Sequence, residues 1–206
     1  MRLHVYIDGF NLYYGCFKNS KYKWLNINKL SCLLFPNHEI SKIKYFTALV
    51  KIRENDSDYD KPNRQQVYLR ALKTLPNVEI IKGTFLTHSI LMKNAEEKGY
   101  TKVIKTEEKG TDVNIASHLI NDGYKGLYDM AIVISNDSDL VEPIKIVIEE
   151  LNLPVVVISP YEKNTIELKK IASFVKKIRE GVLKESQFAG IISDSVGDIV
   201  LPESWR

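Results

Sequence analysis

The sequence predicts an α/β fold in which a parallel β-sheet is covered by helices on both faces. Short runs of apolar, largely β-branched residues alternate along the chain with segments whose apolar residues recur at helical spacing. Such alternation is typical of parallel sheets with right-handed crossovers. In addition, two of the predicted strands are followed by carboxylates, either directly or within three residues. In open α/β sheets this carboxyl edge is where ligands bind.

The predicted elements follow one another in a regular order along the 206 residues. The predicted strands cover residues 4–7, 42–50, 78–82, 131–134 and 154–159. The predicted helices cover residues 27–35, 65–75, 111–123, 140–151 and 165–178. A polar, exposed loop is expected over residues 53–64. A β-excursion is expected around residues 83–108, with arms at 84–86 and 101–105 and a polar link over 89–99.

Length and composition narrow the class of protein. The length indicates one domain over residues 1–180 and a C-terminal extension of unknown structure over residues 181–206. The net charge of +3 allows a polyanionic partner without demanding one. No apolar run approaches the roughly 18 residues of a membrane helix, no signal peptide is seen, and Cys16 and Cys32 lack metal-ligand spacing. A cytoplasmic protein with no membrane partner is expected, and homo-oligomerisation stays open.

The most informative stretch is the passage from a buried strand into a polar cluster. An apolar run ending at Ile134 is followed by Ser135, Asn136, Asp137, Ser138 and Asp139, and then by a helical pattern. Two carboxylates one residue apart, with two hydroxyls and an amide, suit a hard cation with oxygen ligands. Helix capping is the structural alternative, because Ser, Asn and Asp all favour N-caps. Capping accounts for one or two of the five residues, not for all of them.

Two other segments bring acidic residues toward the same edge. Asp8 ends the first strand and is followed by Gly9 and Asn11, a pattern that is also compatible with a turn and a helix cap. Asp112 opens a helix, where the helix dipole alone favours a carboxylate by roughly 0.3–1 kcal/mol. Carboxylates that converge from three segments repel one another, and a divalent cation relieves that repulsion. The sequence therefore predicts a metal site at this edge.

These three segments resemble the signature motifs of the NYN domains, PIN-like ribonucleases, and especially their LabA-like branch. The segments are Tyr6-Ile7-Asp8-Gly9-Phe10-Asn11-Leu12, Lys109-Gly110-Thr111-Asp112-Val113 and Ile134-Ser135-Asn136-Asp137-Ser138-Asp139-Leu140. The resemblance covers about residues 1–178 and implies a Rossmann-like PIN-type sheet. It also implies a Mg²⁺- or Mn²⁺-dependent ribonuclease, of endonucleolytic action, whose partner is single-stranded RNA.

The resemblance assigns expected roles to individual residues. The acidic catalytic and metal-site positions fall on Asp8, Asp112, Asp137 and Asp139. The substrate-binding positions are expected at Asn11, Lys109, Ser135, Asn136 and Ser138. The helix of Asp112 also carries His118, which we expect to have no chemical role.

Two alternatives remain from the residues alone. A PIN-like module could hold RNA or a protein without cutting it. A metal-dependent phosphatase could use Asp8 as a nucleophile, although no glycine-rich phosphate loop follows the first strand. For an RNA-binding protein, the expected basic contacts are Lys18, Lys21, Lys23, Lys102, Lys105 and Lys109.

Overall fold

A seven-stranded, mostly parallel sheet with helices on both faces forms the centre of the protein, as predicted. The structure is a computed structural model and describes residues 1–52, 56–96, 98–162 and 165–206. Within these residues the strand order is β4-β3-β2-β1-β5-β6-β7, and β8 and β9 form a separate hairpin. All pairs in the large sheet are parallel except β3 with β4.

The elements have the following bounds. The strands are β1 (Arg2–Asp8), β2 (Glu39–Ala48), β3 (Val78–Lys93), β4 (Tyr100–Lys109), β5 (Met130–Ile134), β6 (Val155–Ser159), β7 (Phe174–Lys177), β8 (Ile191–Asp194) and β9 (Gly197–Val200). The helices are α1 (Gly9–Leu12), α2 (Ile27–Leu34), α3 (Lys61–Lys73), α4 (Thr111–Tyr124), α5 (Val141–Glu149), α6 (Ile166–Ile171) and α7 (Glu180–Glu185). A π-helical turn, Tyr13–Phe17, continues α1, and a 3-10 turn, Ser138–Leu140, precedes α5.

Alternating residues of the central strands fill two hydrophobic cores, one on each face of the sheet. On one face, Val5 and Ile132 pack with α2 and α3. On the other, Tyr6 and Val133 pack with α4, α5 and α6. Successive side chains of a strand point to opposite faces, and here each face is covered by a core. Positions on both faces of β1 and β5 are therefore apolar, which makes these strands continuous apolar runs.

A buried ion pair fixes α4 on the sheet. Lys44 Nζ of β2 lies 2.6 Å from the Asp122 carboxylate of α4, and the Tyr6 hydroxyl of β1 donates to the same carboxylate at 2.8 Å. Burial disfavours the ionised Asp122, but hydrogen bonds from its partners outweigh burial and hold its pKa below the usual range. The C-terminal half of α4 is thus anchored, and its first turn points to the carboxyl edge of the sheet.

The sequence-based prediction of the β-excursion was wrong in its extent. Strand β3 runs without a break to Lys93 and pairs antiparallel with β4 from Thr84↔Lys109 to Lys93↔Tyr100. The expected link over residues 89–99 therefore shrinks to 94–99, of which residue 97 lies outside the described residues. Most side chains of this ribbon are exposed or half-buried. Because neither face is fully buried, no clear alternation of apolar and polar residues marks it as a strand.

The predicted helix over residues 165–178 was also wrong in its second half. Helix α6 ends at Ile171, and β7 follows and pairs with β6 from Val156↔Phe174 to Ser159↔Lys177. A four-residue strand is too short for its apolar pattern to be distinguished from that of a helix. Pairing with the edge of β6 makes these residues a strand. Helix α3 begins at Lys61, earlier than predicted, inside the expected loop over residues 53–64, whose residues 53–55 lie outside the described residues.

The C-terminal residues 181–206 are closely packed against the first core. Leu183 of α7 and Ile199 of β9 are buried there, and the Trp205 ring lies 6.4 Å from the Trp24 ring. Arg70 of α3 forms an ion pair with Asp194 of β8 at 2.6 Å. The expected domain boundary near residue 180 stays a prediction.

In the part of the chain that the structure describes, no helix combines the length and the apolar character needed to cross a membrane.

We predict that residues 181–206 contribute directly to the stability of the sheet domain. Leu183→Ala should lower the free energy of unfolding by about 2–5 kcal/mol, because it removes a buried side chain and leaves a cavity. The control is Val200→Ala on β9, where the side chain is 46% exposed. Urea unfolding followed by circular dichroism measures both variants. An equal, small effect of the two substitutions would mean that the extension is only loosely attached.

Candidate active site

Asp8 connects the sheet to the first helix at the carboxyl edge. It is the last residue of β1 and only 6% exposed. Its Oδ1 accepts the backbone N–H of Asn11 at 2.9 Å, and its Oδ2 accepts the Ser135 hydroxyl at 3.2 Å. Gly9 allows the tight approach, because a Cβ there would lie 2.7 Å from the Phe46 carbonyl oxygen and the Tyr45 ring. Asp8 thus caps α1 and contacts the loop after β5.

The polar cluster after β5 is held against the α1 turn. The Asn136 backbone N–H donates to Asn11 Oδ1 at 2.9 Å. Asp137 is the cap of the 3-10 turn and accepts the Asp139 N–H at 3.0 Å. Ser135 Oγ accepts the Asp137 N–H at 3.2 Å, so Ser135 and Asn11 both hold backbone groups of this loop. Capping accounts for one role of Asp137, as the structural alternative allowed.

Asn136 extends this clamp toward the segment before α6. Its side-chain oxygen accepts the Thr165 N–H at 2.7 Å, and its carbonyl oxygen accepts the Thr165 hydroxyl at 2.6 Å. The loop after β5 thereby joins the turn after β1 to the start of α6. The side-chain oxygens of Asn11, Ser135 and Asn136 all have hydrogen-bond partners within the protein. The substrate-binding roles predicted for these residues stay predictions.

The third acidic segment enters from β4. Gly110, with φ of +92°, occupies the left-handed region between β4 and α4, a conformation that favours glycine. Asp112 follows in the first turn of α4 and is half-buried. Glu108, near the end of β4, accepts a hydrogen bond from the Thr111 hydroxyl. The sharp turn at Gly110 thus brings two carboxylates to the same edge as Asp8.

The three segments, together with Tyr161 after β6, line an open cavity of about 200 Å³. Its lining residues are Asp8, Phe10, Asn11, Tyr14, Glu108, Thr111, Asp112, Asp137 and Tyr161. Three of the four predicted aspartates are therefore together. Asp139 is exposed and does not line the cavity, although its charge acts on Asp112. Glu108 was missed, because in the sequence it reads as one of several alternating charges around Lys109.

The carboxylates of the cavity destabilise one another's ionised forms. Burial raises the pKa of Asp8 to about 6, and the charges of Asp112 and Asp137 act in the same direction. Burial and the charges of Asp137 and Asp139 raise the pKa of Asp112. Burial also raises the pKa of Glu108, with further contributions from Asp8 and Asp112. The site therefore concentrates negative charge that a bound cation would neutralise.

The chemistry of this donor set fits Mg²⁺ or Mn²⁺. Carboxylate oxygens are the preferred protein ligands of these ions, and Mg²⁺ keeps several waters while using only one or two carboxylates. Among the described residues, no group of three or more His, Cys, Asp or Glu side chains is close enough together to hold a metal ion. The residues available for a cation with part of its water shell are Asp8, Asp112, Asp137 and Glu108.

Lys109 and His118, two further residues of the sequence analysis, lie outside the cavity lining. Lys109 is exposed, and its Nζ lies 3.1 Å from the Glu107 carboxylate. His118 Nδ1 lies 3.0 Å from Lys44 Nζ, and burial together with the Lys44 charge lowers the pKa of its ring. Ser138 is exposed in the 3-10 turn. Nothing in these contacts links His118 to the acidic cavity.

Aromatic side chains form one wall of the cavity. The Phe10 ring lies 6.4 Å from the Tyr14 ring in a stacked arrangement and 5.7 Å from the Phe85 ring edge-on. Tyr14 is 54% exposed, and the Lys18 ammonium lies 5.4 Å from the centre of its ring. Proteins bind single-stranded nucleic acids with this combination of groups, because the exposed ring stacks on a base and the cation contacts a phosphate.

Two known proteins resemble this chain over most of its length. The protein named 6-hydroxy-3-succinoylpyridine 3-monooxygenase HspA, from Pseudomonas putida, is 29% identical over 238 aligned residues, which cover 100% of this chain and 75% of that protein. The crystal structure of a protein of unknown function from Vibrio parahaemolyticus matches with a TM-score of 0.55 at 19% identity, over 87% of this chain and 93% of that one. The second likeness shows the fold alone.

A family model places the chain more specifically. The model of the NYN domain matches residues 2–178, which include all three acidic segments and end just before α7. This agrees with the resemblance drawn from the three motifs. The chain therefore belongs to the NYN domain family of the PIN-like superfamily, whose members are generally nuclease-like.

Proposed function

We propose that this protein is a metal-dependent ribonuclease that hydrolyses phosphodiester bonds of RNA at the acidic cavity. The observation that carries the proposal is the convergence of Asp8, Glu108, Asp112 and Asp137 on one cavity in a member of a nuclease-like family. A bound Mg²⁺ or Mn²⁺ would lower the pKa of a water and neutralise charge on the phosphate. One or two of the four carboxylates would bind the ion directly, and the others would face its water shell.

The other residues of the site support substrate binding and keep the carboxylates in place. Asn11 and Ser135 hold Asp8 and the loop after β5 in place, which keeps the carboxylates at a fixed spacing. Tyr14 offers an exposed ring for a base, and Lys18 offers a phosphate contact. The cavity lies above β1 and β5, near the middle of the sheet, so that an RNA strand could continue on both sides of it. This position supports endonucleolytic action.

The alternatives have weaker support. A phosphatase with Asp8 as its nucleophile has no support from the family, whose members are generally nuclease-like. The activity named for the Pseudomonas relative concerns a succinoylpyridine, and it is stated for that protein alone. A non-catalytic RNA-binding module remains the second candidate, because the aromatic wall and Lys18 serve binding as well as cleavage.

We predict that RNA cleavage depends on the carboxylates of the cavity. Asp8→Asn and Asp112→Asn should each reduce cleavage of single-stranded RNA by orders of magnitude, because an uncharged amide holds a cation poorly. The double variant should be little worse than either single one, since groups that serve one cation act as a unit. Cleavage of a labelled oligonucleotide in Mn²⁺ measures the rates.

The matched control for this experiment is Asp198→Asn, which makes the same chemical change on the β8–β9 hairpin, where the Asp198 side chain accepts a hydrogen bond from Ser193. It should cleave at the parent rate. RNA binding should survive in all variants when Ca²⁺ replaces Mn²⁺. An Asp8→Asn protein that cuts RNA as fast as the parent would refute cleavage at the acidic cavity and would favour the binding module, with the activity traced to a contaminating nuclease.

We predict that the cavity binds a divalent cation independently of RNA. Without metal, ionised Asp8 destabilises the folded protein, because burial raises its pKa to about 6. The penalty is absent below the unfolded pKa near 4 and complete above about 6. Asp8→Asn should therefore raise the free energy of unfolding at pH 8 by on the order of 2 kcal/mol, and by much less at pH 4.

Thermal unfolding in EDTA, Mg²⁺ and Mn²⁺ tests this prediction. The parent melting temperature should rise with either metal, because a ligand that binds only the folded state stabilises it. Asp8→Asn should lose most of this rise. Asp139→Asn removes a charge from an exposed side chain that does not line the cavity and should change metal-free stability little. A metal-induced rise of the same size in Asp8→Asn and the parent would place the metal elsewhere.

A further inference from the structure

The β3–β4 hairpin continues outward from the cavity. Its ladder begins at Thr84↔Lys109 and extends over ten residue pairs to Lys93↔Tyr100. Opposite residues in an antiparallel pair lie on the same face, and successive residues alternate between faces. The pairing register therefore assigns every side chain of the hairpin to one of two faces.

One face carries the residues that belong to the site. Glu108 lines the cavity, and Phe85, its partner in the ladder, contacts Phe10. We name this the cavity-side face, and the other the opposite face. Beyond Phe85 and Glu108, the cavity-side face consists of Thr87, Ser89, Leu91, Lys93, Tyr100, Lys102, Ile104 and Thr106. The Thr87 and Thr106 hydroxyl oxygens, 3.0 Å apart, confirm that the two strands share this face.

The cavity-side face exposes large apolar side chains. Ile104 is 75% exposed, Leu91 is 70% exposed and Tyr100 is 69% exposed. These are among the most exposed apolar residues of the described chain, and the register places all three on the same side of the hairpin. Exposed apolar residues that form one surface mark a binding site more often than isolated ones do.

Charge distinguishes the two faces further. On the opposite face, Lys105 and Lys109 both form ion pairs with Glu107. On the cavity-side face, Lys93 and Lys102 make no ion pair with any described residue. The cavity-side face outside the cavity therefore carries two lysines with no described acid beside them, whereas the two lysines of the opposite face share one glutamate, which leaves a net charge of +1 there.

We propose that the cavity-side face binds the stretch of single-stranded RNA that flanks the bond in the acidic cavity. The proposal rests on the proposed ribonuclease function and adds a path and a length to it. Tyr100, Ile104 and Leu91 would contact bases, while Lys93 and Lys102 would contact phosphates. The nine residues from Phe85 to Lys93 are separated by eight steps and span about 26 Å, which at about 3.4 Å per stacked nucleotide holds at most about eight nucleotides.

A second copy of the chain fits this face less well. In a symmetric dimer the same patch meets itself, so the interface would gather Lys93 and Lys102 of both copies. Phosphates of RNA complement these charges instead. The continuity of the face with the cavity also favours the molecule that the cavity is proposed to cut.

Paired substitutions on the two faces test the proposal. The test variant is Leu91→Ala with Lys102→Ala, which are opposite each other on the cavity-side face. The control is Met92→Ala with Lys105→Ala on the opposite face, where Met92 is 50% exposed. The fluorescence anisotropy of labelled single-stranded RNA in Ca²⁺ measures binding. One RNA has about 12 nucleotides and the other three, so that only the first spans the hairpin.

The test variant should bind the long RNA at least tenfold more weakly than the parent and the three-nucleotide RNA equally well. Its salt dependence should fall by about 0.7 in the slope of log K against log[salt], for one lost phosphate contact. The control should stay within twofold of the parent. Tyr100→Ala, a separate variant on the cavity-side face, should show the same dependence on RNA length.

Other outcomes overturn the proposal. An equal loss of RNA affinity in the test variant and the control would mean that the hairpin attracts RNA nonspecifically. No loss of affinity in either would mean that the RNA does not lie along the hairpin. A parent that dimerises in sedimentation experiments, with a test variant that does not, would assign the face to a second copy. If the parent cuts RNA while the test variant binds normally, the hairpin proposal alone fails. If the parent neither binds nor cuts RNA, the ribonuclease proposal fails as well.

Discussion

The burial of one carboxylate, that of Asp8, is the constraint on which the geometry of the site depends. Asp8 is tied to α1 through the Asn11 N–H and to the loop after β5 through the Ser135 hydroxyl. Those hydrogen bonds favour its ionised form, while burial and the neighbouring acids oppose it, and the net result is a pKa of about 6. The local structure thus holds an acid where it is electrostatically unfavourable, as is common at functional sites.

The position of Asp112 depends on a separate buried charge at the far end of α4. Lys44 and Tyr6 bind the Asp122 carboxylate between the sheet and the helix. A buried ion pair adds little net stability, because desolvation of the two charges offsets their attraction. It does set geometry, since few placements of α4 satisfy all of these groups. Gly110 then allows the chain to enter α4 sharply from β4, so that Asp112 and Glu108 reach the same cavity.

The parts of the structure that the sequence predicted are those in which the local pattern and the tertiary contacts agree. Buried strands such as β5 and β6 are recognisable because both faces are apolar, and parallel strands place Asp8 and Asp137 at one edge without further information. The length of β3 and the strand β7 were not predictable, since they depend on pairing with β4 and with the edge of β6. Glu108 was missed for the same reason: its place at the cavity follows from the hairpin register and from the turn at Gly110.

The hairpin register also revises the electrostatic interpretation of the sequence. Lysines spaced along residues 102–109 looked equivalent as RNA contacts, but alternation in β4 puts Lys102 on one face and Lys105 and Lys109 on the other. The two on the opposite face share Glu107, whose pKa is lowered to about 2 by hydrogen bonds from both lysines. Such exposed pairs are screened by solvent, and Glu107 offsets one of the two positive charges. A modest net charge of +3 therefore divides into separate regions, with acids inside the cavity and two lysines, Lys93 and Lys102, along the path that leads from it. A polyanion needs this arrangement, because it must be attracted along its length and yet meet a cation-binding centre at one phosphate.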